Sequence, residues 1–444
     1  MTPGTPAMGT ASPILPDDAA RRLLHSLHAP SRILVAISGG SDSTGLLIAL
    51  HSALSQSTNP HSLVAATVDH ALRPGSVDEA LAVSRLCASL GIPHLVRTWQ
   101  GEKPSTGIPA AAREARYGLL ADAATALGAD VIVTGHTADD QDETITMRAR
   151  RGGDDGLGLS GMARAVLFDR RIWVLRPFLD VRRQAIRDML DRRRIGWIED
   201  PSNVDRRFER VRVRLEGSAP SPALPDDRAA NRRRLSDAAA DLVSRFATIH
   251  AGCLIRLSPQ TKNAPPEVLR HALATLVAIA GGRAHRPGAG ALDRLMRLVA
   301  TEAAGRTTLS GALIQCRRDD IFLLRENRDV LPRPLAAHQT LIWDGRFSVT
   351  NRTDEERIVE PGRAPVPATP DALLTPAIRR HIGFILPEIR RHGNVKEDAP
   401  TPVGAIVIEP AFPLFDRFLS DTDLALADSI ARLFGRKAYL PPPA

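Results

Sequence analysis

The chain has 444 residues, 43% of them apolar, enough for two or three domains with buried cores and too apolar for global disorder. A net charge of +8 and a pI near 10.1 favour polyanionic partners, nucleic acid first, although nearly every cation is arginine, a bias that GC-rich coding also produces; the lysines are Lys103, Lys262, Lys396 and Lys437. Cys87, Cys253 and Cys316 stand far apart and form no CxxC pair, which argues against a zinc ribbon or an iron–sulfur site and suits a reducing cytoplasm, and no apolar run is long enough to span a membrane.

Residues 1–20 open with Pro, Gly and Thr and lack a basic segment followed by an apolar one, so they are expected to be a disordered leader and not a secretory signal. From there to about residue 200, apolar runs and helical patterns alternate. Residues 32–38 (RILVAIS) are a buried strand ending in Gly-Gly; 62–68 (SLVAATV), 94–99 and 131–134 (VIVT) are further strands, with a last at 172–175. Helices are expected over 44–54, 77–90, 109–127, from about 139, and over 182–194. Alternation with continuously apolar strands predicts an α/β fold, a doubly wound parallel sheet covered on both faces. A Pro- and Ser-rich linker is expected over 217–228, a helical accessory domain over 229–330 with short strands at its end, and a mixed α/β accessory region over 331–444.

Three stretches at strand ends carry chemistry. Ser38-Gly39-Gly40-Ser41-Asp42-Ser43 lies between the first strand and the first helix of the sheet. A Gly-Gly-Ser sequence is ordinarily only a turn, but in this position its N–H groups, the helix N-terminus and the serine hydroxyls suit phosphate oxygens. Asp42 would repel bare phosphate and implies a bridging Mg²⁺. No GxxxxGK[ST] is present, so this is not a Walker loop. Asp69 and His70 follow the second strand, where parallel sheets bind ligands. Gly135-His136 follows the fourth, and Asp139, Asp140 and Glu143 share the start of the next helix. Carboxylates so clustered repel one another and call for cations, either the amines of a substrate or Mg²⁺ with Asp42 and Asp139 as ligands.

The hexapeptide at 38–43 resembles the SGGxDS loop of the PP-loop (N-type ATP pyrophosphatase) family, with its adenine nucleotide alpha-hydrolase-like fold. Within that family the chain is similar to the tRNA(Ile)-lysidine synthetases. The supporting stretches are Val68-Asp69-His70-Ala71-Leu72-Arg73, Ala112-Arg113-Glu114-Ala115-Arg116-Tyr117, Gly135 to Thr144, Arg176-Pro177-Phe178-Leu179 and Trp197-Ile198-Glu199-Asp200-Pro201-Ser202-Asn203. The resemblance implies a carbon–nitrogen ligase that binds ATP and Mg²⁺, adenylates the wobble cytidine of a CAU-anticodon tRNA(Ile) and joins L-lysine to it. It further implies a cytoplasmic protein with no membrane partner, for which a homodimer is compatible. By the same resemblance Arg116 faces the active site, His136 lies near the reacting centre, and Asp140 and Glu143 contact lysine. The chain departs from the family in Arg210-Val211-Arg212-Val213-Arg214, where Val211 replaces an Asn, and in the loop from Arg148 to Gly161, which reads Arg150-Arg151-Gly152-Gly153-Asp154-Asp155-Gly156-Leu157. Arg206, Arg207, Arg210, Arg212 and Arg214 form a basic string suited to phosphates. Three rivals remain: a PP-loop tRNA thiolase, which generally needs a catalytic cysteine pair or a CxxC; a small-molecule amide synthetase, disfavoured by the arginine strings; and a non-catalytic RNA-binding scaffold.

Overall fold

The computed structural model describes residues 14–56, 60–71, 75–104, 106–150, 161–199, 209–216, 225–301, 304–317, 320–368, 373–391 and 404–444. Leu72, Arg73, the loop 151–160, Asp200 to Asn203, Arg206 and Arg207, all singled out in the sequence, lie outside them. The chain forms two compact units, Met1–Pro225 with Leu440–Ala444, and Asp226–Tyr439.

The first unit opens with α1 (Pro16–Ser26), β1 (Arg32–Ala36), α2 (Ser41–Ser55), β2 (Ser62–Asp69), α3 (Ser76–Ser89), β3 (His94–Thr98), α4 (Ile108–Leu127), β4 (Val131–Thr134) and α5 (Ala138–Arg150). It continues with β5 (Ala165–Phe168), β6 (Ile172–Leu175), α6 (Arg183–Arg192) and α7 (Glu209–Glu216). Its strands run in the order β5-β6-β4-β1-β2-β3. Every neighbouring pair is parallel except β5 with β6. The chain goes outward from β1 through β2 to β3, then returns to place β4 on the other side of β1. The C-terminal ends of β1 and β4 therefore straddle the point where strand order reverses, where open α/β sheets bind ligands.

Local chemistry explains the elements that sequence reading misplaced. The leader expected over residues 1–20 overlaps α1, which starts at Pro16: a proline at the first helical position and Asp17 and Asp18 in the first turn favour a helix there, and Ala19, Ala20, Leu23 and Leu24 are buried. The unexpected β5 pairs antiparallel with β6 across a tight turn in which Asp169 and Arg170 both have positive φ, a primed turn whose twist matches a hairpin. Ten of the fifteen residues of α2 are buried. Gly45 lets it touch α6, since a Cβ there would come within 2.2 Å of Ile186 Cγ2. The final residues return to this unit: Trp173 Nε1 donates to Leu440 O (3.0 Å) and His28 N to Pro443 O (2.9 Å).

In the second unit, α8 (Pro225–Phe246) begins inside the expected linker. The short strands expected at the end of the helical stretch are joined by two unexpected ones in a sheet that the helices cover. Strands β7 (Ala247–His250), β8 (Leu254–Leu257), β9 (Gly305–Leu309), β10 (Ala312–Arg317) and β11 (Asp320–Arg325) form an antiparallel sheet in the order β7-β8-β11-β10-β9. Helix α9 (Pro266–Ala280) packs on β10 and β11 and is buried along nearly its whole length; α10 (Ala289–Ala300) follows. Two small sheets come next. One joins β12 (Arg333–Leu335), β15 (Arg357–Pro361) and β16 (Pro387–Arg391); the other joins β13 (Thr340–Trp343), β14 (Phe347–Asn351) and β17 (Ile406–Pro410). Trp343, Phe347, Val349 and Val359 fill the core between them. Helices α11 (Pro376–Gly383), α12 (Pro413–Asp416) and α13 (Leu424–Leu433) complete the unit, α13 returning to α8 through Ser429 Oγ, which donates to Ala240 O (2.9 Å). Among the described residues no helix is long and apolar enough to cross a membrane.

A buried polar knot ties α8, α9 and the turn before α13. Asp423 accepts from Arg232 (2.8 Å) and Arg286 (3.2 Å), and Arg286 Nε donates to Thr275 Oγ1 (2.9 Å). His271, 2% exposed, stands beside it. Burial, then Arg286 and Arg232 against Asp423, pushes its pKa down to about 4. A basic group depressed in this way binds its proton more readily when unfolded. The stability it preserves is complete above pH 6.5 and is lost as pH falls from 6.5 towards about 4, by roughly 3 kcal/mol in all. Thermal melts of the wild type should therefore fall more between pH 7 and pH 4.5 than those of His271→Gln; equal falls would place the acid sensitivity elsewhere.

Candidate active site

The loop after β1 is organised by its own hydroxyls. Ser43 Oγ accepts from the Ser38 backbone N–H (3.1 Å), lies 3.1 Å from Ser38 Oγ, and donates to Gly40 O (3.2 Å). Gly39 has φ +87°, a conformation that favours glycine, and its carbonyl accepts from Ile198 N (2.9 Å). Gly40 caps α2, so Ser41, Asp42 and Ser43 form the first turn, whose unpaired N–H groups face the loop.

The loop after β4 packs directly on this turn. A Cβ on Gly135 would lie 2.7 Å from Asp42 O and 3.0 Å from Ser43 N. Only a glycine lets the two backbones approach this closely. His136 follows, with Nδ1 2.9 Å from Thr134 Oγ1. Burial, then Arg176, with Asp140 opposing and Arg113 and Arg210 adding, holds the imidazole well below its usual range, so it is neutral. Its other ring nitrogen makes no hydrogen bond among the described residues.

The carboxylates expected to share a helix start do so, and arginines from later elements meet each of them. Arg183, the first residue of α6, donates from Nε to Asp42 Oδ2 (2.9 Å), from Nη2 to Asp140 Oδ1 (3.1 Å), and from its backbone N–H to Asp139 Oδ2 (2.8 Å). Asp140 also accepts from Thr137 N (2.8 Å) and Thr137 Oγ1 (3.0 Å). Glu143 is 1% exposed and accepts from Arg210 Nε (2.8 Å) and Arg214 Nε (2.7 Å) of α7. Asp142 accepts from Arg182 Nη1 (2.6 Å). Burial raises the Asp42 pKa although Arg183 opposes it, so this carboxylate gains from further cationic company. Burial would raise Asp140 too, but Arg210, Arg183 and His136 outweigh it and keep Asp140 ionised.

Asp69 and His70 lie at the end of β2. Asp69 Oδ1 accepts from Ala71 N (2.8 Å), and His70 Nε2 accepts from Arg116 Nε (3.3 Å). That contact fixes the His70 proton on Nδ1, which is buried without a partner. Burial and then Arg116 push the His70 pKa down to about 4. Ser38 to Ser43, Gly135 to Glu143 and Asp69-His70 thus lie along one edge of the sheet, as the sequence predicts. Arg183, Arg182, Thr137 and Arg176 join them without having been singled out as site residues. All three cysteines are buried and free, and burial pushes the thiols of Cys87 and Cys253 up to about 11 and 12. Such thiols are poor nucleophiles, which counts against a sulfur-transferring relative.

Residues 16–217 match the PP-loop domain family. Over nearly all of its length the chain is similar to the tRNA(Ile)-lysidine synthases of Rhizobium meliloti, 41% identical with 96% of each chain covered, and of Mesorhizobium japonicum, 40% identical with 94% of this chain and 95% of that one covered. The chain belongs to the tRNA(Ile)-lysidine synthase family. The Brucella canis member is 36% identical, over 91% of this chain and 94% of its own. As a tRNA(Ile)-lysidine synthase family member with a PP-loop domain, the chain is an ATP-dependent ligase of tRNA modification.

Gly135→Ala tests the close approach of the two loops. The added methyl cannot fit against the Asp42 carbonyl without shifting the phosphate loop. A displacement on that scale should lower ATP-dependent turnover roughly 100-fold while the folded fraction by circular dichroism stays near wild type. Full turnover in this variant would show that the contact has no part in catalysis.

Proposed function

We propose that the protein joins the ε-amine of L-lysine to carbon 2 of the wobble cytidine of a CAU-anticodon tRNA(Ile), through an adenylated base. The observation that supports this most is the seating of the phosphate-type loop, through Gly135, directly against His136 and the acidic start of α5. A nucleotide held at the first loop has its α-phosphate within reach of chemistry at the second. Asp69 and His70 line the adenosine side, where the orphan Nδ1–H of His70 needs an acceptor. The base oxygen attacks the α-phosphorus and pyrophosphate leaves. N–H groups of residues 39–43 and the α2 N-terminus stabilise the departing charge. The lysine amine then attacks carbon 2, AMP leaves with the former base oxygen, and the amine sheds a proton.

Mg²⁺ fits Asp42. Its carboxylate is half-buried, raised in pKa by desolvation and part of the phosphate loop, and one or two carboxylates with phosphate oxygens and waters make an ordinary Mg²⁺ site. When bound, the ion would neutralise charge on the phosphates. Asp139, the other candidate ligand, holds the Arg183 N–H. Among the described residues no group of three or more His, Cys, Asp or Glu is arranged as a complete metal site, so phosphate oxygens would have to finish the shell.

Two residues are proposed for proton and amine handling. Both oxygens of Asp140 are engaged by Thr137 and Arg183, so His136, neutral and with one ring nitrogen uncommitted, is placed to accept a hydrogen bond from the attacking amine. A lysine ammonium reaches Asp140 or Glu143 only by displacing an arginine, Arg210 or Arg214 being the nearest to solvent. Arg116, exposed beside His70, is free to meet a phosphate.

Incubating the protein with CAU-anticodon tRNA(Ile), Mg-ATP and labelled lysine should yield lysine-bearing cytidine at the wobble position by mass spectrometry, with AMP and pyrophosphate in equal amounts. Unmodified cytidine alongside pyrophosphate release would sink the lysine reading and keep the ATP site. Asp42→Ala should lower pyrophosphate release at least about 100-fold while tRNA binding in a filter assay stays intact. Undiminished release would remove Asp42 from the reaction.

A further inference from the structure

The carboxylates of α5 are all met by arginines, yet among the described residues Arg113, Arg116 and Arg176 pair with no acid. Arg113, Arg116 and Arg176 surround Tyr117. The Arg113 guanidinium lies 5.1 Å from the ring centre, and Arg176 Nη2 donates to the hydroxyl (3.3 Å). Among the described residues no carboxylate pairs with any of the three. Arg176 is the unusual one: it is 3% exposed, Nη1 donates to Ala163 O (2.6 Å), and Nε is buried with no partner. A guanidinium taken out of water without a counter-charge is costly, and it is normally paired or given an anion. Arg176 directly follows β6, whose register pairs Val133 with Leu175, so it stands level with Thr134, the residue bonded to His136. The positive field reaches both neighbours: it lowers the Tyr117 pKa against the effect of burial and helps keep His136 neutral.

We infer that Arg113 and Arg176, beside the Tyr117 hydroxyl, form a seat for the α-carboxylate of the amino-acid nucleophile. This rests on the lysine-joining reading above. The seat lies at β6, with β4 between it and β1, roughly two strand spacings of about 5 Å from the strand that carries the phosphate loop, which leaves that loop to ATP. Its depth selects the ligand. Tyr117 and Arg176 are each 3% exposed, which favours a small planar anion at the end of a slender molecule over a phosphate in the backbone of a folded RNA. Arg113, exposed and set over the Tyr117 ring, supplies the fork that receives the carboxylate, with Arg176 contributing N–H groups left over from Ala163 and Tyr117. A second amine is no help in filling such a seat, so the protein should discriminate lysine from its decarboxylated analogue.

The test compares lysine with 1,5-diaminopentane, which keeps both amines and lacks the carboxylate, as nucleophile for the full-length protein with tRNA and Mg-ATP. Wild type should favour lysine in kcat/KM by about 10- to 100-fold. In Arg113→Gln and Arg176→Gln the lysine value should fall further than the 1,5-diaminopentane value by about that factor, mainly through KM, so that the preference collapses. Arg176→Lys should restore part of it. Arg113 is at the surface, so its variant carries the test should Arg176→Gln fail to fold. Equal use of the two amines by wild type, or equal losses for both amines in Arg113→Gln, would overturn the seat. A wild type that transfers neither amine would overturn the lysine reading, and the seat with it.

Discussion

Arg183 is the interaction on which the site depends. Asp42 comes from the phosphate loop and Asp139 and Asp140 from the helix after β4, and each would repel the others if left alone. A single guanidinium and its backbone N–H bind all three, from the first residue of a helix 141 positions beyond Asp42. Like charges drawn together by one cation make a rigid but poised arrangement: removing a partner from such a buried set typically costs 3–5 kcal/mol. Burial keeps the Asp42 carboxylate raised in pKa even with Arg183 attached, so the set still has room for positive charge.

The second constraint is steric. At Gly135 and Gly45 an added side chain would collide with a neighbour, the Asp42 backbone at the first and the Ile186 side chain at the second; one contact joins the two candidate loops and the other joins α2 to α6, the helix that carries Arg183. The glycine contacts and the arginine contact close a ring: β1 loop to β4 loop, β4 loop to α6, α6 back to α2. Each link fixes the geometry of the other two, which is how a few hydrogen bonds on a loop edge become a preorganised surface.

Much of this was readable in the sequence, for a physical reason. The loops at 38–43 and 135–144 follow continuously apolar strands and precede helices, so local pattern alone puts them at the ligand-binding edge of a parallel sheet. Arg183, Arg210 and Arg214 were not assigned to the acids because what identifies an ion pair is proximity in space, and their partners lie about 40 to 140 positions away. The four-residue strands β5, β7 and β8 were missed because a run that short fits helix and strand equally well. The leader's Pro- and Gly-rich start concealed α1, although Pro16-Asp17-Asp18 is a sound helix-start signal. The carboxylates were read correctly as needing cations; that the chain itself supplies most of those cations could come only from the fold.

The buried cysteines give the protein an unplanned convenience. Cys87, Cys253 and Cys316 are shielded and their thiols lean away from ionisation, so electrophilic dyes and spin labels meet a silent background. Two cysteines engineered onto exposed positions, one in each unit, would be the reactive handles on the chain, with no native thiol to remove first. Distance measurements between the two units during turnover could then be made on a protein that is otherwise unaltered.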